Sequence, residues 1–319
     1  MATGIIIHQL LIFGLLALLG AMGSHLKIIT EEIKESLSRI IIDITLPFLI
    51  LSTFSGLSFE PGLVRNAFIV FMLTFINIGI LYLTGTTSSR LQRLMPQQAT
   101  VHTLHTMLGN IVFLGFPLFD ALFPGGIGVF YAAIYQLASN TITFTYGIYR
   151  LSAGTQKSGL KSLININTGA LAIGILIFSL GIKLPSPMID AFSGLGKCTS
   201  PLSMIYIGAL LAGMNIRHAF EKVSVYIICI NKLIIIPIIL GFVYTVVFHA
   251  LNIVIAKEAF FVLVMQSGMP CQTIVVVLTK RYGGDTELAA SNLFVTTMLS
   301  IVTLPLLYLV LEKILIFFN

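Results

Sequence analysis

Apolar runs of 18 or more residues recur along the whole chain, separated by short polar connections. As an α-helix, a run of that length covers the roughly 30 Å hydrocarbon core of a bilayer. Ten spans can be drawn, at about 5–24, 36–56, 64–85, 98–122, 127–149, 162–181, 198–214, 223–248, 253–279 and 289–316. The pattern predicts an all-α polytopic membrane protein with ten transmembrane helices and no extramembrane domain. The first run, Ile5 to Met22, lacks a basic leader and exceeds a signal-peptide core, so it reads as a retained helix.

Two of these runs carry a break signal. Gly115-Phe116-Pro117 lies in span 4 and Gly268-Met269-Pro270 in span 9, and no other of the eleven prolines has glycine two residues before it. Glycine disfavours helix and proline removes a backbone donor, so both spans are expected to break there. The halves answer each other elsewhere. Thr45-Leu46-Pro47 matches Thr199-Ser200-Pro201, and Ala138-Ser139-Asn140 matches Ala290-Ser291-Asn292. From the first proline to the Gly-x-Pro proline the spacing is 70 residues in one half and 69 in the other; onward to the asparagine it is 23 and 22. The expectation is two five-helix repeats, 1–150 and 151–319. An odd number of spans inverts the second copy, so broken helices 4 and 9 would cross near the midplane. Irregular backbone at that depth must be buried or line a cavity. Half-helix N-termini there would suit an anionic group.

Composition excludes a soluble domain: 57% of residues are hydrophobic and 9% charged, against about 25% charged in ordinary soluble domains. The formal charge of +6 does not point to nucleic acid, because the basic residues lie in short loops. Twelve of them (Lys27, Lys34, Arg39, Arg90, Arg93, Arg150, Lys157, Lys161, Arg217, Lys222, Lys280 and Arg281) follow odd-numbered spans, against five on the other side. By the positive-inside rule the twelve are cytoplasmic, so both termini face outside a cytoplasmic (inner or plasma) membrane. Cys198, Cys229 and Cys271 have no disulfide or zinc spacing and read as small buried hydrophobes. His-Glu-x-x-His, paired carboxylates and a nucleophile elbow are absent, which argues against an enzyme.

The run Gly109-Asn110-Ile111-Val112-Phe113-Leu114-Gly115-Phe116-Pro117-Leu118 resembles the fourth-helix signature of the auxin efflux carrier family. Met269-Pro270, Lys280-Arg281-Tyr282-Gly283-Gly284-Asp285 and Glu287-Leu288-Ala289-Ala290 are similar to its ninth-helix region, and Thr45-Leu46-Pro47-Phe48-Leu49-Ile50 to its second helix. Without a long central loop the chain looks like the small microbial branch, which includes malate and malonate permeases. The resemblance implies a fold shared with sodium–bile acid symporters. It also implies a panel of helices 1, 2, 6 and 7, a mobile core of helices 3–5 and 8–10, elevator-type alternating access, and a possible homodimer through panel helices. Bile-acid-type relatives hold sodium with a glutamate beside the ninth-helix break. Here that place reads Gln266-Ser267-Gly268, leaving only neutral oxygens.

The candidate substrate-binding residues are Asn110, Gly115 and Pro117 on one side of the crossing. On the other are Gln266, Gly268, Met269, Pro270 and Gln272, with the repeat-related Asn140 and Asn292 in support. Asn110 ranks first because it lies five residues before Gly115 and the resemblance assigns it a substrate contact; interhelical bonding is its alternative. Asp43 in span 2 and Lys232 in span 8 are candidates for coupling or counter-charge, although Asp43 could sit in water and Lys232 could snorkel. His102 and His105 are expected at the interface. No cofactor or metal is called for, with H+ or Na+ as possible coupling ions. The function expected is a carrier of a small organic anion. A sodium-coupled bile-acid-type symporter, or a channel or sensor on the same fold, is the alternative.

Overall fold

The computed structural model describes residues 2–58, 60–154, 165–214, 220–282 and 284–318. Gly283 and three of the basic loop residues, Lys157, Lys161 and Arg217, lie outside them. Among the described residues the chain is helical, with no strand and a single isolated β-bridge between Gly109 and Cys271. In chain order the helices are α1 (Ala2–His25), α2 (Glu31–Ile40), α3 (Leu46–Gly56), α4 (Pro61–Leu91), α5 (Pro96–Met107), α6 (Phe116–Leu122), α7 (Ile127–Ile142) and α8 (Ile148–Leu151). They continue with α9 (Ile166–Ser179), α10 (Ser186–Lys197), α11 (Thr199–Ala212), α12 (Val223–Ile230), α13 (Ile236–Ala250), α14 (Lys257–Ser267), α15 (Thr273–Tyr282) and α16 (Thr286–Phe318).

Among the described residues, five helical stretches are long and apolar enough to cross a membrane: Glu31–Gly56, Pro61–Leu91, Ser186–Ala212, Val223–Ala250 and Thr286–Ile316. Three shorter apolar helices are Leu11–His25, Ile111–Leu122 and Ile166–Ser179. Expected spans 4 and 9 do not appear as single long helices because both are broken. α5 and α14 have 12 and 11 residues, each about half the length a crossing needs. The expected seventh span is a longer element than its apolar run, because α10 adds an amphipathic stretch before Thr199.

Short π-helical segments join several of these helices. Ile41–Thr45, Ile111–Gly115 and Asn231–Ile235 each end two residues before a proline, at Pro47, Pro117 and Pro237. A proline inside a helix lacks one N–H and collides with the carbonyl four residues back. A wider turn before it places the ring in the first turn of a new α-helix, where the missing donor is tolerated. The orphaned carbonyl can be recovered from a neighbour. In a π-turn the carbonyl of Ile42 would accept from residue 47, which is proline, and the Asn167 side chain donates to it instead at 3.0 Å.

The chain divides into two compact units. The first comprises residues Met1–Ala67, Ile111–Ile134 and Ile164–Met214. Its backbones approach closely where Gly20 of α1 faces Ile205 and Gly208 of α11 faces Ala17; a side chain at either glycine would strike backbone atoms. Small residues at such contacts are the usual basis of helix association in lipid. Phe54 is its aromatic centre, with ring centroids 4.9 Å from Phe130 and 6.4 Å from Phe178.

The second unit comprises Phe68–Asn110, Tyr135–Leu163 and Asn215–Asn319. Polar groups tie its helices together where apolar contact alone would give little directional hold. Asn77 of α4 donates to the Leu263 carbonyl of α14 at 2.9 Å, and the Tyr244 hydroxyl of α13 donates to the Asn77 side-chain oxygen. Asp285 accepts from the backbone N–H of Leu288 at 2.8 Å, capping the start of α16, and from Gln98 at 3.1 Å. Lys222 pairs with Glu287 at 3.1 Å beside it.

Candidate functional site

The site is built from two helix interruptions in the second unit. α5 stops at Met107 and the chain runs extended through Leu108, Gly109 and Asn110. α14 stops at Ser267, and residues Gly268 to Gln272 form a turn and an extended stretch before α15. The two stretches run antiparallel. The N–H of Asn110 donates to the carbonyl of Pro270 at 2.8 Å, and Gly109 pairs with Cys271. The N–H of Cys271 donates to Thr296 Oγ1 on α16 at 3.0 Å, and that hydroxyl donates to the Asn292 carbonyl one turn back at 2.6 Å. Backbone groups freed by the breaks are thereby partnered inside the protein, as apolar surroundings demand.

The absence of a Cβ at Gly109 permits this approach. A Cβ there would lie 2.9 Å from Met269 Cβ and 3.0 Å from the Gln266 carbonyl oxygen. Gly268 is confined similarly, by Leu307 and Pro237. Pro237 belongs to α13, so the π-segment Asn231–Ile235 sets two partners of the breaks at once: the proline ring against Gly268, and Lys232 against α5.

The first break is therefore not where the sequence placed it. Gly115 closes a π-helical turn with φ −61° and ψ −55°, and Pro117 sits in the first turn of α6. Gly115 and Pro117 continue a helix in the first unit; the interruption comes at Leu108–Asn110. The wide turn absorbs the proline, and the close approach of Gly109 to α14 interrupts the helix. The second break, at Gly268-Met269-Pro270, falls where the sequence put it.

The remaining candidates separate clearly. Asn110 is 2% exposed and donates through Nδ2 to Thr273 Oγ1 at 3.2 Å, at the start of α15. Gln272 is buried and accepts from Thr143 at 3.4 Å. Gln266 and Asn292 are 1% and 0% exposed, and neither the oxygen nor the nitrogen of either side-chain amide has a partner among the described residues. Leaving such a group unpaired costs about 1–3 kcal/mol, so two buried amides kept this way are poor structural choices and good ligand-facing ones. Asn140, repeat-equivalent to Asn292, differs: it is half-buried and accepts from Gln136 at 2.9 Å, within its own helix turn.

Of the two charged candidates, only Lys232 joins the site. Asp43 is exposed in the first unit. Lys232 is completely buried and does not snorkel; its Nζ donates to the Thr106 carbonyl at the end of α5, at 2.8 Å. Cys271 and His105 are its polar neighbours, and the Cys271 thiol donates to the His105 carbonyl at 3.7 Å. None of the ion pairs among the described residues includes Lys232. A cation at a helix C-terminus gains up to about 2 kcal/mol. Burying a charge without a counter-ion costs several kcal/mol, so this contact alone leaves the ammonium under-compensated. The charge balance of the site is positive and open.

Other expectations are corrected. His102 and His105 are fully buried in α5 instead of at an interface, with His102 Nε2 2.8 Å from Ser88 Oγ. Cys198 is exposed, while Cys229 and Cys271 are buried. Thr106, Thr143, Thr273 and Thr296 were missed as partners of the crossing. Threonines usually bond back to their own helix, so their type gives no signal; only the four-residue spacing of Thr296 from Asn292 places it on the same face. Among the described residues no three His, Cys, Asp or Glu gather to hold a metal ion. A cavity of about 500 Å³ lies elsewhere in the second unit, bordered by Phe248, Phe260, Lys257 and Glu312, and none of the candidate residues lines it.

Comparison with known proteins agrees with this architecture. The profile of the family described as membrane transport protein matches residues 5–158 and 151–308. An uncharacterized transporter of Methanocaldococcus jannaschii is 28% identical over 93% of this chain and 96% of its own length. An uncharacterized transporter of Methanothermobacter thermautotrophicus is 27% identical over 91% of this chain and 93% of its own. The chain thus belongs to the membrane transport protein family, the auxin efflux carriers, and is a multi-pass membrane protein.

Proposed function

We propose that this protein is a secondary active transporter or uniporter of a small organic anion, a carboxylate, bound at the interruption between α5 and α14. In this reading the chain makes ten crossings as two inverted repeats, with both termini outside the cytoplasmic membrane. The unit that carries the breaks is the mobile body of an elevator-type cycle. The observation that carries the proposal is the set of buried polar groups at the break: Asn110 at the start of α15, two amides without partners, and an ammonium without a carboxylate. Such groups fit a solute with two or more oxygens and negative charge. The buried apolar residues adjoining them in the chain, Leu108, Met265 and Met269 among them, favour a monocarboxylate or an amphipathic acid over a dicarboxylate.

Purified protein in liposomes tests this directly. Saturable uptake of at least one radiolabelled carboxylate is expected, responding to an imposed proton, sodium or voltage gradient if the protein is coupled and to the solute gradient alone if it is a uniporter. Discrete single-channel currents would replace the carrier by a channel. No uptake and no binding across mono-, di- and tricarboxylates would refute the anion reading.

A further inference from the structure

We propose that Lys232 is the resident cation of the crossing: its ammonium serves as the built-in counter-charge for the bound anion, in place of an inorganic cation. The inference rests on the carrier reading above and specifies its electrostatics.

Two helices, α5 and α14, end at the break, and two helical segments begin there, α15 and the π-segment Ile111–Gly115, so the helix ends roughly offset one another. Helix C-termini carry partial negative charge, and the Lys232 ammonium lies at the C-terminus of α5. Gln266, beside the second interruption, is neutral, and its buried amide is unpartnered among the described residues. Lys232 supplies a fixed positive charge at the break, from a π-segment that points it at the Thr106 carbonyl. An ammonium has three N–H donors, and among the described residues Lys232 uses one. The acids of this unit that form ion pairs form them with other lysines: Lys222 holds Glu287 and Asp285, and Lys257 holds Glu312. A monoanion bound beside Lys232 neutralises the site with no further ion.

Thermal unfolding of the full-length protein in detergent, with lactate, malate or citrate added as choline salts in sodium-free buffer, tests the proposal. Wild type is expected to be stabilised by at least one of these without sodium. Lys232→Met is expected to lose that stabilisation, at least a tenfold rise in the concentration required, while its ligand-free midpoint stays level or rises. Lys232→Arg is expected to retain part of the response and Lys232→Gln none. Equal responses in wild type and Lys232→Met overturn the proposal and leave the carrier reading standing. So does a wild-type response that appears only with sodium. A large fall in the ligand-free midpoint of all three variants marks Lys232 as a structural cap of α5 and also overturns it. If wild type neither binds nor transports any carboxylate, the carrier reading fails and this inference falls with it.

Discussion

The crossing leaves little room at Gly109, and Gly109→Ala measures it. A methyl group there would meet Met269 Cβ at 2.9 Å and the Gln266 carbonyl oxygen at 3.0 Å. Ordinary contact begins at about 3.4 Å, so the two stretches must separate by some tenths of an ångström. Neither atom is the free end of a flexible side chain, so the shift passes to the backbone. It also strains the Asn110 to Pro270 hydrogen bond, now 2.8 Å. Overpacking of this kind costs about 1–3 kcal/mol. At roughly 2–4 °C per kcal/mol, a fall on the order of 5 °C in unfolding midpoint follows. The chain has no tryptophan, but it has Cys229 and Cys271 buried and Cys198 exposed. In a Cys198→Ser background, a thiol-reactive fluorophore therefore reports unfolding through the two buried thiols, one of them at the crossing. Gly79→Ala is the control: its Cβ would meet nothing within 4 Å, and alanine is the better helix former by about 1 kcal/mol, so its midpoint should hold or rise. Gly109→Ala should lose transport as well as stability, and Gly109→Val more of both. Wild-type stability and uptake in Gly109→Ala would refute the claim that backbone proximity at Gly109 fixes the break.

Gln266→Leu should leave the midpoint unchanged or higher, because it removes an unpaired buried amide, yet abolish carboxylate uptake; a strong loss of stability would reveal a structural bond instead. Thr296→Val should lower the midpoint by exposing the need of the Cys271 N–H for a partner, worth about 1–3 kcal/mol, whereas Thr296→Ser keeps the acceptor and should stay close to wild type. Asn77→Leu should destabilise the second unit by a similar amount, read in the same thermal assay, because it strands both the Leu263 carbonyl and the Tyr244 hydroxyl. Maleimide should label the native detergent-solubilised protein once, at Cys198, and three times after denaturation; rapid native labelling of Cys271 would contradict its burial.

The sequence made legible what depends on local composition. Apolar run length marks Val223–Ala250 and Thr286–Ile316 within three residues, and Pro61–Leu91 within six, because a bilayer-length helix needs no tertiary information to be recognised. Gly268-Met269-Pro270 marks a true interruption because the chain around it has no room to continue: Leu307 and Pro237 close on Gly268 from two sides. The same tripeptide at Gly115 misled, since a π-turn accommodates Pro117 and keeps the helix going. Whether a proline breaks or merely widens a helix is decided by what packs against it, and that lies outside the local sequence. Lys232 was visible as an oddity in an apolar run. Its partner, the Thr106 carbonyl, was not, because 126 residues separate them and a backbone acceptor carries no sequence signature.

This contrast explains why the site is built as it is. Pro237 and Lys232 are five residues apart on one helical segment and reach different broken helices, α14 through Gly268 and α5 through Thr106. An ordinary α-helix would place them about 500° around the axis; a π-turn of roughly 4.4 residues reduces the rotation per residue and changes their relative direction. A proline that only stopped a helix would be replaceable by any breaker. One that tunes the angle between a steric contact and a charge is not. Pro237→Ala should therefore relax the segment toward α-helical winding, turn Lys232 away from Thr106, and weaken carboxylate binding without removing the lysine. Charge and sterics at the crossing are thus coupled through one turn. If Pro237→Ala binds carboxylate as wild type does, Lys232 is positioned by its own packing, and the π-turn is only the local accommodation of a proline.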